Sequence, residues 1–118
     1  MKMRLSLLGL ILGLAFFASA CERVTIGNIE NNTARYLNRQ VGIIGTVRDS
    51  YGLNIPFSPV RGGIYKVDDG TGSIWVITQN SVPNKGARIG VKGAVQNGLS
   101  FNGRNYGLGM IESDRRIR

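Results

Sequence analysis

The sequence contains no histidine, a single cysteine and only seven acidic residues. Without histidine, the chain cannot form a His-ligated metal site, use an imidazole as a general base or build a Ser-His-Asp triad. With one cysteine, it cannot close an internal disulfide. We therefore expect no metal and no cofactor, and a fold that is held together by its apolar core alone.

Carboxylates are the remaining candidates for acid–base catalysis. Asp68 and Asp69 form one adjacent pair, and Glu112 and Asp114 lie farther along the chain. Side chains of neighbouring turn residues diverge, and Asp-Gly sequences are typical of turns for backbone reasons alone. We therefore expect that the protein is not an enzyme and has no catalytic residues.

Basic residues outnumber acidic ones, with 15 Lys and Arg against 7 Asp and Glu and a formal charge of +8. A basic domain favours anionic partners such as nucleic acid, lipid headgroups or acidic glycans. The charges are scattered, however, with no basic run longer than Arg115-Arg116. Scattered charge is also typical of an ordinary solvated surface, so the charge alone does not select a partner.

The first 20 residues have the pattern of a signal peptide. Lys2 and Arg4 form a positive start, an almost unbroken apolar run follows over 5–18, and small residues occupy 18–20. Cys21 comes next. This pattern resembles the lipobox of bacterial lipoproteins, although Ala18 stands where Leu is commonest. The resemblance implies that Cys21 becomes the N-terminus, carries acyl chains such as palmitate and tethers the protein to the cell envelope.

Two other interpretations of this segment stay open. It fits an ordinary secretory signal followed by a free cysteine, and it fits an uncleaved N-terminal anchor. An anchor is less well supported because the apolar stretch over 5–20 is shorter than the ~20 residues that a spanning helix needs. Cleavage before Cys21 would leave 13 basic and 7 acidic residues, a formal charge of +6.

The sequence predicts four segments, with one small domain after the signal peptide. These are the signal peptide (1–20), a leading segment with a short helix (21–40), a barrel (41–112) and a charged tail that frays (113–118). The helix is expected over 33–39 with Asn32 or Thr33 as its N-cap, so that Tyr36 and Leu37 pack on the barrel.

Alternating apolar residues predict five strands. In the first, over 41–48, Val41, Ile43, Gly45 and Val47 share one face. The second and third, over 64–67 and 73–78, flank the turn sequence Asp-Asp-Gly-Thr-Gly and form a hairpin. We expect Ile74 and Val76 in the core and Trp75 on the outer face, beside one of Tyr65 and Lys66.

The remaining predicted elements are two strands and two long loops. The loop over 49–63 contains Pro56 and Pro59, and it either binds a partner or covers one mouth of the barrel. The fourth strand covers 87–95, and a Gly/Asn-rich hairpin loop covers 96–105. The fifth strand covers 106–111, with Tyr106, Leu108 and Met110 on one face.

Three sequence blocks carry a family resemblance. They are V-x-I-x-G-x-V at 41–47, V-D-D-G-T-G-S-I-W-V at 67–76 and G-x-x-I-x-V-x-G-x-V at 86–95. In this order they resemble OB-fold domains of the tRNA-anticodon-binding type. The resemblance implies an all-β, five-stranded Greek-key barrel with one short helix, and a ligand-binding face on the second and third strands and the loops beside them.

Transferred by position, that face would consist of basic and aromatic residues. They are Arg48, Tyr51, Phe57, Arg61, Tyr65, Lys66, Trp75, Phe101 and Arg104. Rings interleaved with cations suit single-stranded nucleic acid, because bases stack on the rings and cations follow the phosphates. The same residue types suit sugars, which stack on Trp and Tyr, and anionic headgroups.

We therefore predict a non-enzymatic binding module on a bacterial envelope lipoprotein, whose ligand is an anionic oligomer, either nucleic acid or glycan. The alternative is a structural lipoprotein that uses its outer face to bind another envelope protein. The signal peptide weakens the nucleic-acid interpretation, because anticodons and replication forks are cytoplasmic. Trp75 and Arg61 are the residues expected to matter most.

Overall fold

A computed structural model of the chain describes residues 21–54 and 61–118. The predicted signal peptide therefore lies outside the described residues. The elements are β1 (Glu22–Arg23), α1 (Ile26–Asn31), α2 (Thr33–Tyr36), β2 (Gln40–Asn54), β3 (Arg61–Asp68), β4 (Ser73–Thr78), β5 (Arg88–Phe101) and β6 (Arg104–Ile117). Within those two ranges, neither helix has the length and apolarity needed to traverse a bilayer.

Five of the strands close into a barrel. The hydrogen-bonded order is β2-β3-β4-β6-β5, and β5 pairs back to β2. The β4–β6 pairing is parallel and the other barrel pairings are antiparallel. Strand β1 adds to β2 outside the ring. The predicted all-β, five-stranded barrel is therefore confirmed.

The core follows the predicted alternation. Val41, Ile43 and Val47 of β2 are buried, as are Ile74 and Val76 of β4. Isoleucines of α1 and the Tyr36 ring join the same apolar cluster. The short helices therefore add their apolar side chains to the barrel core.

The first helix begins earlier than the sequence predicts. Its N-cap is Thr25, whose hydroxyl accepts a hydrogen bond from the Asn28 amide at 3.2 Å. The amides of Ile26 and Gly27, the first two residues of the helix, donate hydrogen bonds to side chains of the β3–β4 turn. These two partners lie more than 40 residues away in sequence, so Thr25 provides the one local side-chain cap at the start of this helix. Only the second helix coincides with the predicted segment over 33–39.

The long loop predicted over 49–63 is mostly strand, so that prediction is wrong. Strand β2 continues to Asn54 and pairs with β3 from Asp49↔Lys66 to Asn54↔Arg61. A bulge at Arg48 shifts the register at the point where the predicted strand ends, and such bulges bend a strand without ending it. Of the predicted loop, 55–60 lies outside the described residues.

The predictions of a fraying tail over 113–118 and a loop over 96–105 are also wrong, because most of these residues belong to β5 and β6. Strands β5 and β6 pair along their length, from Phe101↔Arg104 at the tip to Ile89↔Ile117 at the far end. The turn is Asn102-Gly103, with positive φ at both residues, as a type I′ turn requires. Charged residues fit such a ladder because alternate side chains can remain in solvent.

Candidate functional site

A surface depression of about 560 Å³ lies over the outer face of β4 and the tip of the β5–β6 hairpin. Three aromatic rings and several polar side chains surround it. The lining residues are Asp49, Tyr51, Trp75, Asn102, Arg104, Asn105 and Tyr106. The barrel register explains the central position of Trp75, because its neighbours Ile74 and Val76 are buried in the core.

The three rings form a continuous row, which we call the aromatic strip: Tyr51, Trp75 and Tyr106. The ring centres of Tyr51 and Trp75 are 6.1 Å apart, and those of Trp75 and Tyr106 are 5.0 Å apart. The rings are tilted by 33° and 59° to one another. Tyr51 is 56% exposed, so at least this end of the strip is open to a ligand.

Two cations accompany the strip. The Lys66 ammonium lies 5.5 Å from the centre of the Trp75 ring, and the Arg104 guanidinium carbon lies 5.7 Å from the centre of the Tyr106 ring. At these distances each cation is attracted by the face of its ring. Asp49 is the acidic residue of the depression and is paired in register with Lys66. Two of the three rings of the strip therefore have a cation against them.

Tyr106 is a site residue that the sequence analysis misses. It was expected on the same face as Leu108 and Met110, which do pack in or against the core. Gly107 breaks the alternation: its φ is +76° and the β5–β6 register shifts beside it. The Gly107 amide donates a 2.7 Å hydrogen bond to the Asn105 side chain. The sequence Asn-Tyr-Gly inside a strand is the signal that would have indicated a bulge.

Tyr65, by contrast, does not lie on the outer face. It is fully buried, and its hydroxyl donates a 2.5 Å hydrogen bond to Glu112. Burial raises the pKa of the Tyr65 phenol far above its usual range, and the bond to Glu112 raises it further. Thr78 donates to the other oxygen of Glu112, and Arg115 lies 3.7 Å from the carboxylate. This buried polar cluster satisfies the carboxylate inside the barrel.

Two further predicted site residues, Arg48 and Phe101, do not line the depression. Arg48 projects from the β2 bulge and pairs with Asp68 at 3.8 Å. Phe101 is half-buried beside the hairpin turn. Arg61 begins β3, but its side chain and the whole of Phe57 lie outside the described residues. Of the nine predicted residues, the structure brings together Tyr51, Lys66, Trp75 and Arg104.

The Asp-Asp-Gly-Thr-Gly turn serves the fold. Asp69 accepts hydrogen bonds from the Thr71 hydroxyl and amide, the Gly72 amide and, across the chain, the Ile26 amide. Desolvation opposes the charged form of Asp69, but these bonds prevail and hold the pKa of its carboxyl below the usual value. The Thr71 hydroxyl in turn accepts from the Gly27 amide at 2.8 Å. The turn therefore anchors the first helix to the barrel.

Comparison with known proteins places the architecture among solved structures. A chain named as an aspartyl-tRNA synthetase from Leishmania major Friedlin superposes with a TM-score of 0.62 at 7% identity, over 84% of this chain and 21% of that chain. An OBody bound to hen egg-white lysozyme superposes with a TM-score of 0.51 at 18% identity, over 70% and 84%. A structure of a replication protein A heterotrimer bound to single-stranded DNA superposes with a TM-score of 0.47 at 20% identity, over 67% of this chain and 57% of that chain.

No protein-family model matches the chain, and no curated protein resembles it significantly in sequence. The chain spans about a fifth of the length of the synthetase chain that it matches. At these identities the likeness concerns the fold, and together with the strand order it shows that the chain is an OB-fold.

Proposed function

We propose that the protein is a non-enzymatic OB-fold module that binds single-stranded nucleic acid across the aromatic strip. The observation that carries this proposal is the row of three rings along one open depression, with Arg104 in the depression and Lys66 against the Trp75 ring. The ring centres are 5.0 and 6.1 Å apart. Bases that stack on such rings contribute ~1–3 kcal/mol each, and nearby cations neutralise phosphates.

The position of the depression supports the same ligand class. OB-folds bind oligonucleotides and oligosaccharides on the outer face of the strands that correspond to β3 and β4. Lys66 and Trp75 lie on those two strands as register partners. The hairpin tip adds Arg104, which extends the basic surface beyond the last ring. An extended, flexible anionic chain matches this elongated arrangement.

An acidic glycan is the second candidate ligand, because the same open rings offer flat surfaces to pyranose sugars. A protein partner is the third: a solved structure with this fold is bound to lysozyme. Neither alternative accounts as directly for cations placed against the ring faces. They are therefore treated as outcomes of the binding experiment.

We further propose that the module is displayed on the bacterial cell envelope by acylation of Cys21. The support is the lipobox-like sequence over 18–21, in which Cys21 directly precedes strand β1. Mass spectrometry of the protein extracted from membranes should find acyl chains on an N-terminal Cys21. An unmodified chain, or one that retains residues 1–20, would contradict this part of the proposal.

The ligand can be tested through the intrinsic fluorescence of Trp75, because the chain contains one tryptophan. Mature protein is titrated at low salt with oligothymidylate, with duplex DNA of equal length and with an acidic polysaccharide. We expect oligothymidylate to quench Trp75 with the highest affinity, and the affinity to fall as salt is added because counterions are released.

Two outcomes would overturn the nucleic-acid proposal. If the polysaccharide binds more tightly than oligothymidylate, the strip is a glycan site. If none of the three ligands changes Trp75 fluorescence or co-migrates with the protein, the face belongs to a protein partner or to none.

A further inference from the structure

A second surface site lies beside Cys21. It is a depression of about 340 Å³ over the outer face of β1, β2, β5 and β6. Gly42 and Gly90 contribute no side chains to its floor. A methyl group on Gly42 would lie 3.8 Å from the Cys21 sulfur, and one on Gly90 would lie 3.6 Å from Nε of Arg118. Between Cys21 and Arg118, the floor of the depression therefore includes backbone that no side chain of Gly42 or Gly90 covers. We call this site the basic groove.

The walls of the groove are strongly cationic. Its charged lining residues are Arg23, Lys92, Asp114, Arg115, Arg116 and Arg118. The Arg115 guanidinium is directed elsewhere, since it donates to the Ser81 carbonyl and lies beside Glu112. The other four cations are exposed, and among the described residues no carboxylate lies within 4 Å of any of them.

Strand register explains why these cations converge. Lys92 pairs with both Gly42 and Asp114, and Gly90 pairs with Arg116, so these residues point to the same outer face. Arg23 also pairs with Gly42, and the backbone of Arg118 bonds to that of Arg88. The chain thus places both of its described ends at one cationic surface.

We propose that the basic groove binds the anionic headgroups of the membrane to which Cys21 tethers the protein. This inference rests on the acylation proposed for Cys21. Two observations favour a phospholipid surface over other anions. The groove is cationic and open, and Cys21, which would carry the acyl chains, is itself one of its lining residues. Lys and Arg close to an anionic bilayer each strengthen binding.

The groove and the aromatic strip lie toward opposite ends of β6. Tyr106 and Arg116 are ten residues apart on β6, which corresponds to about 30 Å along a strand. A barrel that rests on headgroups through the groove would therefore keep the aromatic strip clear of the bilayer. The groove would set the orientation, and the acyl chains would supply the anchoring.

Vesicle sedimentation tests this proposal without acylation. The chain from residue 21 onward contains all described strands and helices and the whole described core, and it is prepared with Cys21→Ser. It is mixed at low salt with vesicles of phosphatidylcholine alone, or of phosphatidylcholine and phosphatidylglycerol in equal parts. We expect binding only to the anionic vesicles. The double variant Lys92→Ala/Arg116→Ala should weaken it by roughly 10- to 30-fold.

Matched variants distinguish an effect of the basic groove on vesicle binding from an effect of the protein's net charge. Lys66→Ala/Arg104→Ala removes the same charge from the aromatic strip and should leave vesicle binding close to that of the wild type. Lys92→Arg/Arg116→Lys keeps the charges and should bind normally, which shows that the loss is not due to misfolding. Oligothymidylate binding should be unchanged in Lys92→Ala/Arg116→Ala.

The proposal fails if both alanine pairs lose vesicle binding equally, because the effect is then net charge alone. It also fails if Lys92→Ala/Arg116→Ala abolishes oligothymidylate binding, since the groove is then a nucleic-acid surface. Because the chain in this assay carries no lipid, the acylation of Cys21 is judged separately by mass spectrometry.

Discussion

A single glycine determines whether Tyr106 joins the aromatic strip. Gly107 has a φ of +76°, and no atom lies within 4 Å of the position that a Cβ would take. A side chain would therefore fit in space but would strain the backbone. The position of the third ring depends on a backbone conformation that glycine permits.

Gly107→Ala should lower the free energy of unfolding by about 1–2 kcal/mol and weaken oligothymidylate binding, because the bulge that directs Tyr106 toward Trp75 is disturbed. Urea denaturation and a binding titration measure the two effects. The matched control is Gly70→Ala, at φ +87° with the same open space but in the β3–β4 turn. It should be destabilised similarly and bind normally. Equal loss of binding in both variants would contradict this role for Gly107.

Tyr65 shows why residue type alone is a poor guide to a site. An aromatic residue next to Lys66 is a reasonable candidate for the ligand face, but Tyr65 is fully buried, whereas Lys66 is half-buried and reaches the Trp75 ring. Its hydroxyl serves the buried Glu112 carboxylate.

Tyr65→Phe should cost about 1–3 kcal/mol, because one oxygen of a buried carboxylate loses its donor. The wild type should also lose stability as the pH rises above about 10, where the unfolded phenol ionises. The folded phenol keeps its proton because its pKa is raised, so Tyr65→Phe should show a shallower alkaline decline. Tyr51→Phe, at an exposed position, is the control and should change neither property. Denaturation at several pH values provides the measurement, and identical alkaline slopes for wild type and Tyr65→Phe would refute the assignment.

The β3–β4 turn and the first helix form one structural unit. The turn closes its hairpin locally, and it also supplies acceptors to the Ile26 and Gly27 amides at the start of the helix. Glu30 of the helix accepts a bond from the Ser73 amide in return. The turn whose two aspartates were weighed as a catalytic pair therefore holds the first helix against the barrel.

Asp69→Asn should destabilise the fold by roughly 1.5–3 kcal/mol at neutral pH, because charge-assisted bonds to the helix and turn are lost. The folded pKa of Asp69 is lowered. Its contribution is therefore fully present above the unfolded value of about 3.9 and disappears as the pH falls through the lower folded value. Stability of the wild type and the variant should converge in acid. Thermal denaturation between neutral and acidic pH measures this.

Asp68→Asn is the neighbouring control. Asp68 caps the Gly70 amide and pairs with Arg48 at 3.8 Å on the surface, and exposed pairs of this kind contribute about 1 kcal/mol or less. Its substitution should therefore cost less than that of Asp69. A larger loss of stability in Asp68→Asn than in Asp69→Asn would mean that Asp69 is not the carboxylate that anchors the first helix.

The sequence predicts elements where the determining contacts are local. The hairpin over 64–78 follows from β-branched runs around an Asp-Gly turn, and the core positions of β2 and β4 follow from strict alternation. The first helix is missed because it is only six residues long and two of its first amides bond to the distant turn, although its N-cap Thr25 is local. Strands β2, β5 and β6 are predicted too short because bulges and glycines interrupt the alternation while the backbone pairing continues.

The same reasoning explains the candidate site. Trp75 is predicted correctly on the outer face beside one of Tyr65 and Lys66, and the strand register shows that this neighbour is Lys66. Tyr106 is missed because a bulge reverses its side. The basic groove is missed because its residues come from β1, β2, β5 and β6, and its cations are scattered in sequence.

At the scale of the whole molecule, the barrel carries two separate surfaces at different ends of β6. One combines rings with cations, and the other is a cationic groove beside Cys21. This separation gives the two proposals independent tests, because substitutions at one surface leave the other intact.

The most direct test of the central claim is fluorescence anisotropy of labelled oligothymidylate with wild-type protein, Trp75→Ala, Trp75→Phe and Phe101→Ala. If the aromatic strip binds the bases, Trp75→Ala weakens binding by roughly 5- to 150-fold and Trp75→Phe retains much of the affinity. Phe101→Ala, beside the same hairpin but outside the depression, should bind like the wild type. Binding by Trp75→Ala that matches the wild type would contradict the proposed function.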